Sequence, residues 1–389
     1  WSSDVCSSDL PRTADGPDDP RLFTYNGVLP GFDPMLHVPD DHGPWIAWLE
    51  GLGHDVSAGP LALLASEDQR PEEHSVAAFV TDAAIDWIDR QQEPWFVHLS
   101  HLRPHPPYVA AGDWAHEYDP TTVGFPISPV ANPPSFHRAV LAQDQPAAPT
   151  DPKELAAMRA QYFGMVSHVD HQMGRIFDAL RQGGRWDDTI VVVTADHGEM
   201  LGDHGLKEKL GYWEESYAIP CIIRDPLRPE AHGSVVESFT ESVDVMPTVA
   251  NLLAVDVPAQ CDGYPLTPFL DGDEPLRWRT ATHWEYDWRT TLIDTISHEW
   301  PWDRVLERQH LTVTRTDSHA YVQFGNGDWL CFDLATDPTW RTETHDPAVV
   351  LPLAQEMLIW RSQHANRLLA DLVLGAQGAG RWPPVPWRN

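Results

Sequence analysis

The run Thr189-Ile190-Val191-Val192-Val193-Thr194, ending directly in Ala195-Asp196-His197-Gly198, is what most constrains this chain. β-Branched side chains are stiff and pack well on a pleated surface, and a run without polar alternation suits a central strand covered on both faces. Upstream, Leu155, Met158, Tyr162, Met165, Val169, Met173, Ile176 and Leu180 recur at spacings of three and four. With Pro152 near the start and Gly183-Gly184 at the end, they predict one long helix whose Met and aromatic stripe reads as core. Glu73 to Arg90 predicts another helix, with Val76, Phe79, Val80, Ala84, Ile85 and Ile88 on one face. Pro94 to Ser100 and Ile219 to Ile223 read as buried strands, and Ser242 to Val255 as a helix with Pro247 in its first turns. This alternation predicts an α/β fold, with a central, mostly parallel sheet flanked by helices.

Toward the C-terminus the pattern changes. Short strands are expected at Leu311–Thr314, Ala320–Phe324 and Trp329–Leu334, with Asn326-Gly327 as a hairpin turn, then a helix over 348–372. That describes a small antiparallel sheet with one packed helix, followed by a Pro-rich tail. The organisation read from the sequence is therefore a leader at 1–10, an α/β domain at 11–290 and an α+β subdomain with tail at 291–389. The leader, WSSDVCSSDL, lacks an initiator Met and the apolar core of a signal peptide, and reads as foreign to the fold.

Charge limits the partners. Lys and Arg total 26 against 58 Asp and Glu, a net charge of -32, and a field of that sign repels nucleic acid. No apolar run is long enough to span a membrane. The four cysteines, Cys6, Cys221, Cys261 and Cys331, form no CxxC pair, which favours a reduced, cytoplasmic setting over a disulfide framework.

Three strings carry chemistry. In Thr194-Ala195-Asp196-His197-Gly198-Glu199-Met200-Leu201-Gly202-Asp203-His204-Gly205, an acid and an imidazole stand at the carboxyl end of a strand, where open α/β sheets bind ligands. Asp oxygen and His nitrogen are ordinary ligands for Mn or Zn; the dipeptide alone reads better as the cap of a following helix, but the whole twelve-residue string after a strand favours the ligand reading. In Lys207-Glu208-Lys209-Leu210-Gly211-Tyr212, a lysine beside a metal could hold an oxyanion, where an isolated lysine is otherwise a solvated surface group. In Arg103-Pro104-His105-Pro106-Pro107, prolines stiffen the backbone around His105, which could give a proton to a leaving oxygen or serve only the turn. His98 and His101 fit packing or supporting roles.

TADHGEMLGDHGLKEKLGY and EESYAIPCIIRDP resemble the signature of the sulfatases of the alkaline phosphatase superfamily. HLSHLRPHPPYVA, ESVDVMPTV and WRSQHANRLL resemble the phosphonate monoester hydrolases of that superfamily, over roughly 19–378. The resemblance implies an alkaline-phosphatase-like sandwich that hydrolyses sulfate esters, phosphonate monoesters or phosphodiesters. It implies one divalent metal (Mn, Ca or Zn) with Asp196 and His197 as ligands, Lys209 on the substrate anion and His105 on the leaving-group side. His197 favours Mn or Zn over Ca, which prefers oxygen shells. The small anionic ester is the expected partner, and the resemblance also implies homo-oligomerisation through the C-terminal arm. The family's nucleophile is a formylglycine made in a Cys-x-Pro/Ala-x-Arg motif, and no cysteine here lies in one. The expectation is an N-terminally truncated chain, missing its nucleophile and inactive as it stands. Two alternatives stay open: a phosphatase or phosphodiesterase of the same superfamily with a Ser or Thr nucleophile, and a non-catalytic anion-binding fragment.

Overall fold

The computed structural model describes residues 35–38, 41–92, 94–142, 144–258, 261–273, 275–287 and 310–364, together with the backbone of 372–375 and 378–381. The expected leader and the Pro-rich tail lie outside the described residues. The chain divides into two compact units, one of residues up to Pro126 with Ala148–Thr189, the other of Ile127–Ala147 with Ile190 onward.

In the first unit, α1 (Gly43–Gly51) sets Trp45 and Leu49 against Leu63, Leu64 and Val76. Helix α2 (Val76–Arg90) starts where Ser75 accepts a hydrogen bond from the Ala78 amide, satisfying one donor of the first turn. Helix α3 (Pro152–Gln182) starts in the same way, with Asp151 accepting from the Lys153 amide, and has Pro152 in its first turn. The buried stripe of α3 carries Met158, Met165, Ile176 and Leu180 as expected, and also His168 and Gln172. Their rings and amides pair with each other at 3.1 Å, so polarity is tolerated inside. Trp95 and Leu99 pack with Ile88, Ile176 and Leu180, as alternate residues of an extended segment do. No strand ladder is assigned to 94–100 among the described residues.

The second unit holds β1 (Val191–Thr194), which pairs antiparallel with β2 (Cys221–Arg224), Val191 opposite Arg224. Every ladder among the described residues is antiparallel. β1 is half-buried over Val191–Val193 and exposed at Thr194 rather than buried throughout. The β-branched run predicted a strand correctly, but direction and cover belong to its neighbours. A 3₁₀ turn at Ser242–Asp244 leads into α4 (Val245–Leu252), where one continuous helix was expected.

A four-stranded antiparallel meander follows, β3 (Ala281–Asp287), β4 (His310–Thr316), β5 (His319–Phe324) and β6 (Trp329–Asp333). Its first strand begins ahead of the 291 boundary read from the sequence. Gly327 takes φ 97° in the β5–β6 turn, the conformation expected of Asn-Gly. Alternation gives the meander two apolar faces. Tyr321 and Cys331 meet Val350, Leu353 and Met357 of α5 (Pro347–His364). The opposite face, with Leu311, Val313, Val322, Phe324 and Phe332, packs on Met200, Leu206, Leu210, Tyr212 and Trp213. The loop after β1 thus shares its core with the C-terminal sheet. The expected helix end at 372 is also corrected, since Leu372–Gly375 pairs with Gly378–Arg381 as a hairpin. No helix of the described residues is long and apolar enough to cross a membrane.

Candidate active site

β1 ends at Thr194, and the chain then presents Asp196 and His197 side by side. His197 Nε2 lies 3.5 Å from Asp196 Oδ2. Its Nδ1 is 2.8 Å from the Gly198 carbonyl oxygen and donates to it, which orients the ring and leaves Nε2 as the nitrogen beside the carboxylate. A ring nitrogen tied to a backbone carbonyl is a common way in which the ring of a metal-ligating histidine is oriented. The Asp196 side chain is 86% exposed and that of His197 30%, so both are accessible. No helix follows for them to cap, so the helix-capping alternative does not hold; the next element is the short 3₁₀ turn Asp203–Gly205. No cluster of three or more metal-ligating side chains occurs among the described residues.

Gly198 fixes where this strand end sits. Its amide donates to the Ser216 carbonyl at 2.8 Å. A Cβ here would stand 2.1 Å from the Glu215 carbonyl oxygen, so the close approach requires glycine. Beyond it, the loop is clamped at several points. The Ile127 amide donates to Asp203 Oδ1 at 2.5 Å, the His204 amide to the Ile127 carbonyl at 2.7 Å, and His137 Nε2 to the His204 carbonyl at 2.8 Å. The His204 ring stacks on Trp213 at 4.6 Å. Burial pushes the His204 pKa down to about 3 and the Glu215 pKa up to about 7, the latter with help from Asp203 and Glu214. Their side chains face each other at 3.9 Å as neutral groups over much of the pH range.

Lys209 follows this loop and is half-buried, in the same unit as Asp196 and His197. The Lys207 amide donates to the Pro146 carbonyl at 2.8 Å, anchoring the approach. Trp284 stacks on Tyr217 at 5.0 Å within this unit. Of the cysteines, Cys331 is buried with its thiol pushed up to about 11, and burial also raises the pKa of Cys221; neither environment activates a thiolate.

His105 belongs to the first unit. Its Nδ1 is bonded to the Pro106 carbonyl at 2.9 Å. The backbone around it is held by Arg103, which donates to the carbonyl oxygens of His105 and Pro107 and to that of Leu64. Arg103 is itself ion-paired with Glu67, whose other oxygen accepts the Val76 amide at the start of α2. His101 is half-buried, and its desolvation pushes its pKa down to about 4. Arg103 and Glu199 were visible in the strings but were assigned no role from sequence. Their part depends on carbonyls and amides that no spacing rule names.

The family model described as Sulfatase matches residues 50–255. The chain belongs to the sulfatase family. A model of the N-sulphoglucosamine sulphohydrolase C-terminal region matches residues 202–359 of the chain. The chain is 32% identical to the multifunctional alkaline phosphatase superfamily protein PehA of Trinickia caryophylli, over 95% of itself and 77% of PehA. It is 26% identical to an arylsulfatase of Clostridium perfringens, over 77% of itself and 60% of that enzyme. The fold matches the phosphonate monoester hydrolase of Agrobacterium radiobacter with a TM-score of 0.80 at 32% identity, covering 96% of this chain and 79% of the other. The alkaline-phosphatase-like α/β fold expected from the sequence is therefore present, with its small antiparallel C-terminal sheet.

Proposed function

We propose that this sulfatase-family chain is the larger part of a metal-dependent hydrolase of sulfate esters, phosphonate monoesters or phosphodiesters. The observation that carries the reading is the convergence of Asp196 Oδ2 and His197 Nε2 with the His197 ring oriented by Gly198. One divalent ion, Mn or Zn ahead of Ca for a mixed oxygen and nitrogen set, would neutralise charge on an ester oxygen held there. Lys209 adds positive charge for the same oxyanion in a protein whose overall field repels anions. His105 gives a proton to the leaving oxygen, with its backbone fixed by Arg103. The nucleophile is a formylglycine contributed by sequence upstream of this chain. The substrate is a small anionic ester, and the protein self-associates through its C-terminal arm.

The test is to express this chain alone and the chain with its complete upstream reading frame, each with Mn or Zn. Both are assayed on an aryl sulfate, an aryl phosphonate monoester and an aryl phosphodiester. Turnover by the longer protein only, lost with metal binding in Asp196→Asn and His197→Ala, is the expected result. Turnover by this chain alone overturns the assignment of the nucleophile. An upstream Ser or Thr in place of the Cys-x-Pro/Ala-x-Arg motif selects the phosphatase alternative, and metal and sulfate binding without turnover selects the anion-binding one.

A further inference from the structure

Between the Asp196–His197 pair and Lys209 the chain makes a tight loop, and three of its non-glycine residues have positive φ: Leu201 at 45°, His204 at 55° and Glu208 at 64°. Such conformations are rarely adopted by L residues and persist only where the surroundings hold them. The His204 amide is taken by Ile127. The other two go to one atom: Glu199 Oε1 accepts from the Leu201 amide at 3.0 Å and from the Glu208 amide at 2.6 Å. The Met200 amide donates to the Glu208 carbonyl at 2.9 Å, so the same neck is also closed by backbone. Glu199 is next to Gly198, whose position is fixed by the Glu215 and Ser216 carbonyls, and Glu208 is next to Lys209. A charged carboxylate makes stronger bonds to amides than a neutral acceptor does, which suits it to hold two strained residues.

We infer that Glu199 is a positioning residue: by closing the loop neck on the Leu201 and Glu208 amides, it sets Lys209 against the Asp196–His197 pair and strengthens oxyanion binding without touching the anion. The inference rests on Lys209 being the anion contact proposed above. It explains why an acidic side chain stands beside an anion site, since its Oε1 lone pairs are directed at backbone amides.

The experiment is calorimetric titration of inorganic sulfate into the full chain with Mn, for wild type, Glu199→Ala, Glu199→Gln, Lys209→Ala and the Glu199→Ala/Lys209→Ala double variant. Amide hydrogen exchange is followed in parallel. Losing charge-assisted bonds should weaken sulfate about tenfold in Glu199→Ala. Glu199→Gln keeps an acceptor oxygen and should recover most of it. In the Lys209→Ala background, Glu199→Ala should cost less than about twofold more, because coupled residues are not additive. Exchange should accelerate at the Glu208 amide in Glu199→Ala but not in β1 or β2. Wild-type affinity in Glu199→Ala, losses that multiply in the double variant, unaltered sulfate binding in Lys209→Ala, or no sulfate binding by wild type would each overturn the inference. Turnover is read separately, in the protein with its complete upstream reading frame: sulfate binding with the expected coupling but no ester hydrolysis by that longer protein would remove the hydrolase reading and leave the positioning role standing.

Discussion

Arg103 Nη1 donates to the His105 carbonyl at 2.7 Å while the same guanidinium is ion-paired with Glu67, both side chains being buried, at 2% and 1% exposure. A histidine proposed to handle a proton is thus fixed through its backbone by a charge that cannot leave. Arg103→Ala strands the Glu67 carboxylate, and breaking a buried pair in this way costs about 3–5 kcal/mol. Arg103→Lys keeps the charge but not the planar fork that serves three carbonyls and a carboxylate, and should recover only part of the loss. Urea unfolding midpoints measure both, and an unmoved midpoint in Arg103→Ala contradicts the account.

Gly198→Ala tests how the strand end is held. The new methyl would need the Glu215 carbonyl, 2.1 Å away, to move. Overpacking of this kind costs about 1–3 kcal/mol. The displacement falls on the residue next to His197, so Mn affinity should drop together with melting temperature. A stability loss with unchanged Mn affinity would separate Gly198 from the metal half-site.

Glu215 gives a pH dependence of definite sign. Its pKa rises from 4.5 to about 7 on folding because burial disfavours the carboxylate. Between those values the folded state binds more protons than the unfolded one, so this group lowers stability as pH rises from 4.5 toward 7, by up to about 3 kcal/mol above it. Glu215→Gln, which stays neutral, should raise the melting temperature over wild type at pH 8 and hardly at all at pH 4.5. Equal shifts at both pH values would show that the carboxyl does not titrate in the fold.

His168 works in the opposite direction. Burial is the main reason its pKa falls from 6.5 to about 4, with His171, His101, Arg103 and Arg175 adding positive charge nearby. The unfolded chain takes up the proton first, so stability is intact above pH 6.5 and is lost as pH falls toward 4. His168→Gln keeps a polar partner for Gln172 and removes the titration. The acid-unfolding midpoint of this variant should move to lower pH, read by circular dichroism.

Local chemistry determined much of what was legible in the sequence. The apolar spacing of α3, its Asp151 and Pro152 start and its Gly183-Gly184 end all act within a few residues, and the helix stands where they put it. The β-branched run of β1, the Asn326-Gly327 turn and the Asp196-His197 pair are equally short-range, and the family signature was readable because it is contiguous.

Sheet direction, burial of β1 and the supports of the site were decided by tertiary structure. β1 is antiparallel to β2 because of which strand meets its edge, a fact its own side chains do not encode. The C-terminal meander serves the site because one of its faces needs apolar cover and the loop with Met200, Leu206 and Trp213 supplies it. Arg103 and Glu199 act on carbonyls and amides, groups every residue carries, so sequence marks neither their partners nor their reach; only the folded backbone brings the acceptor carbonyls to Arg103 and the Leu201 and Glu208 amides to Glu199.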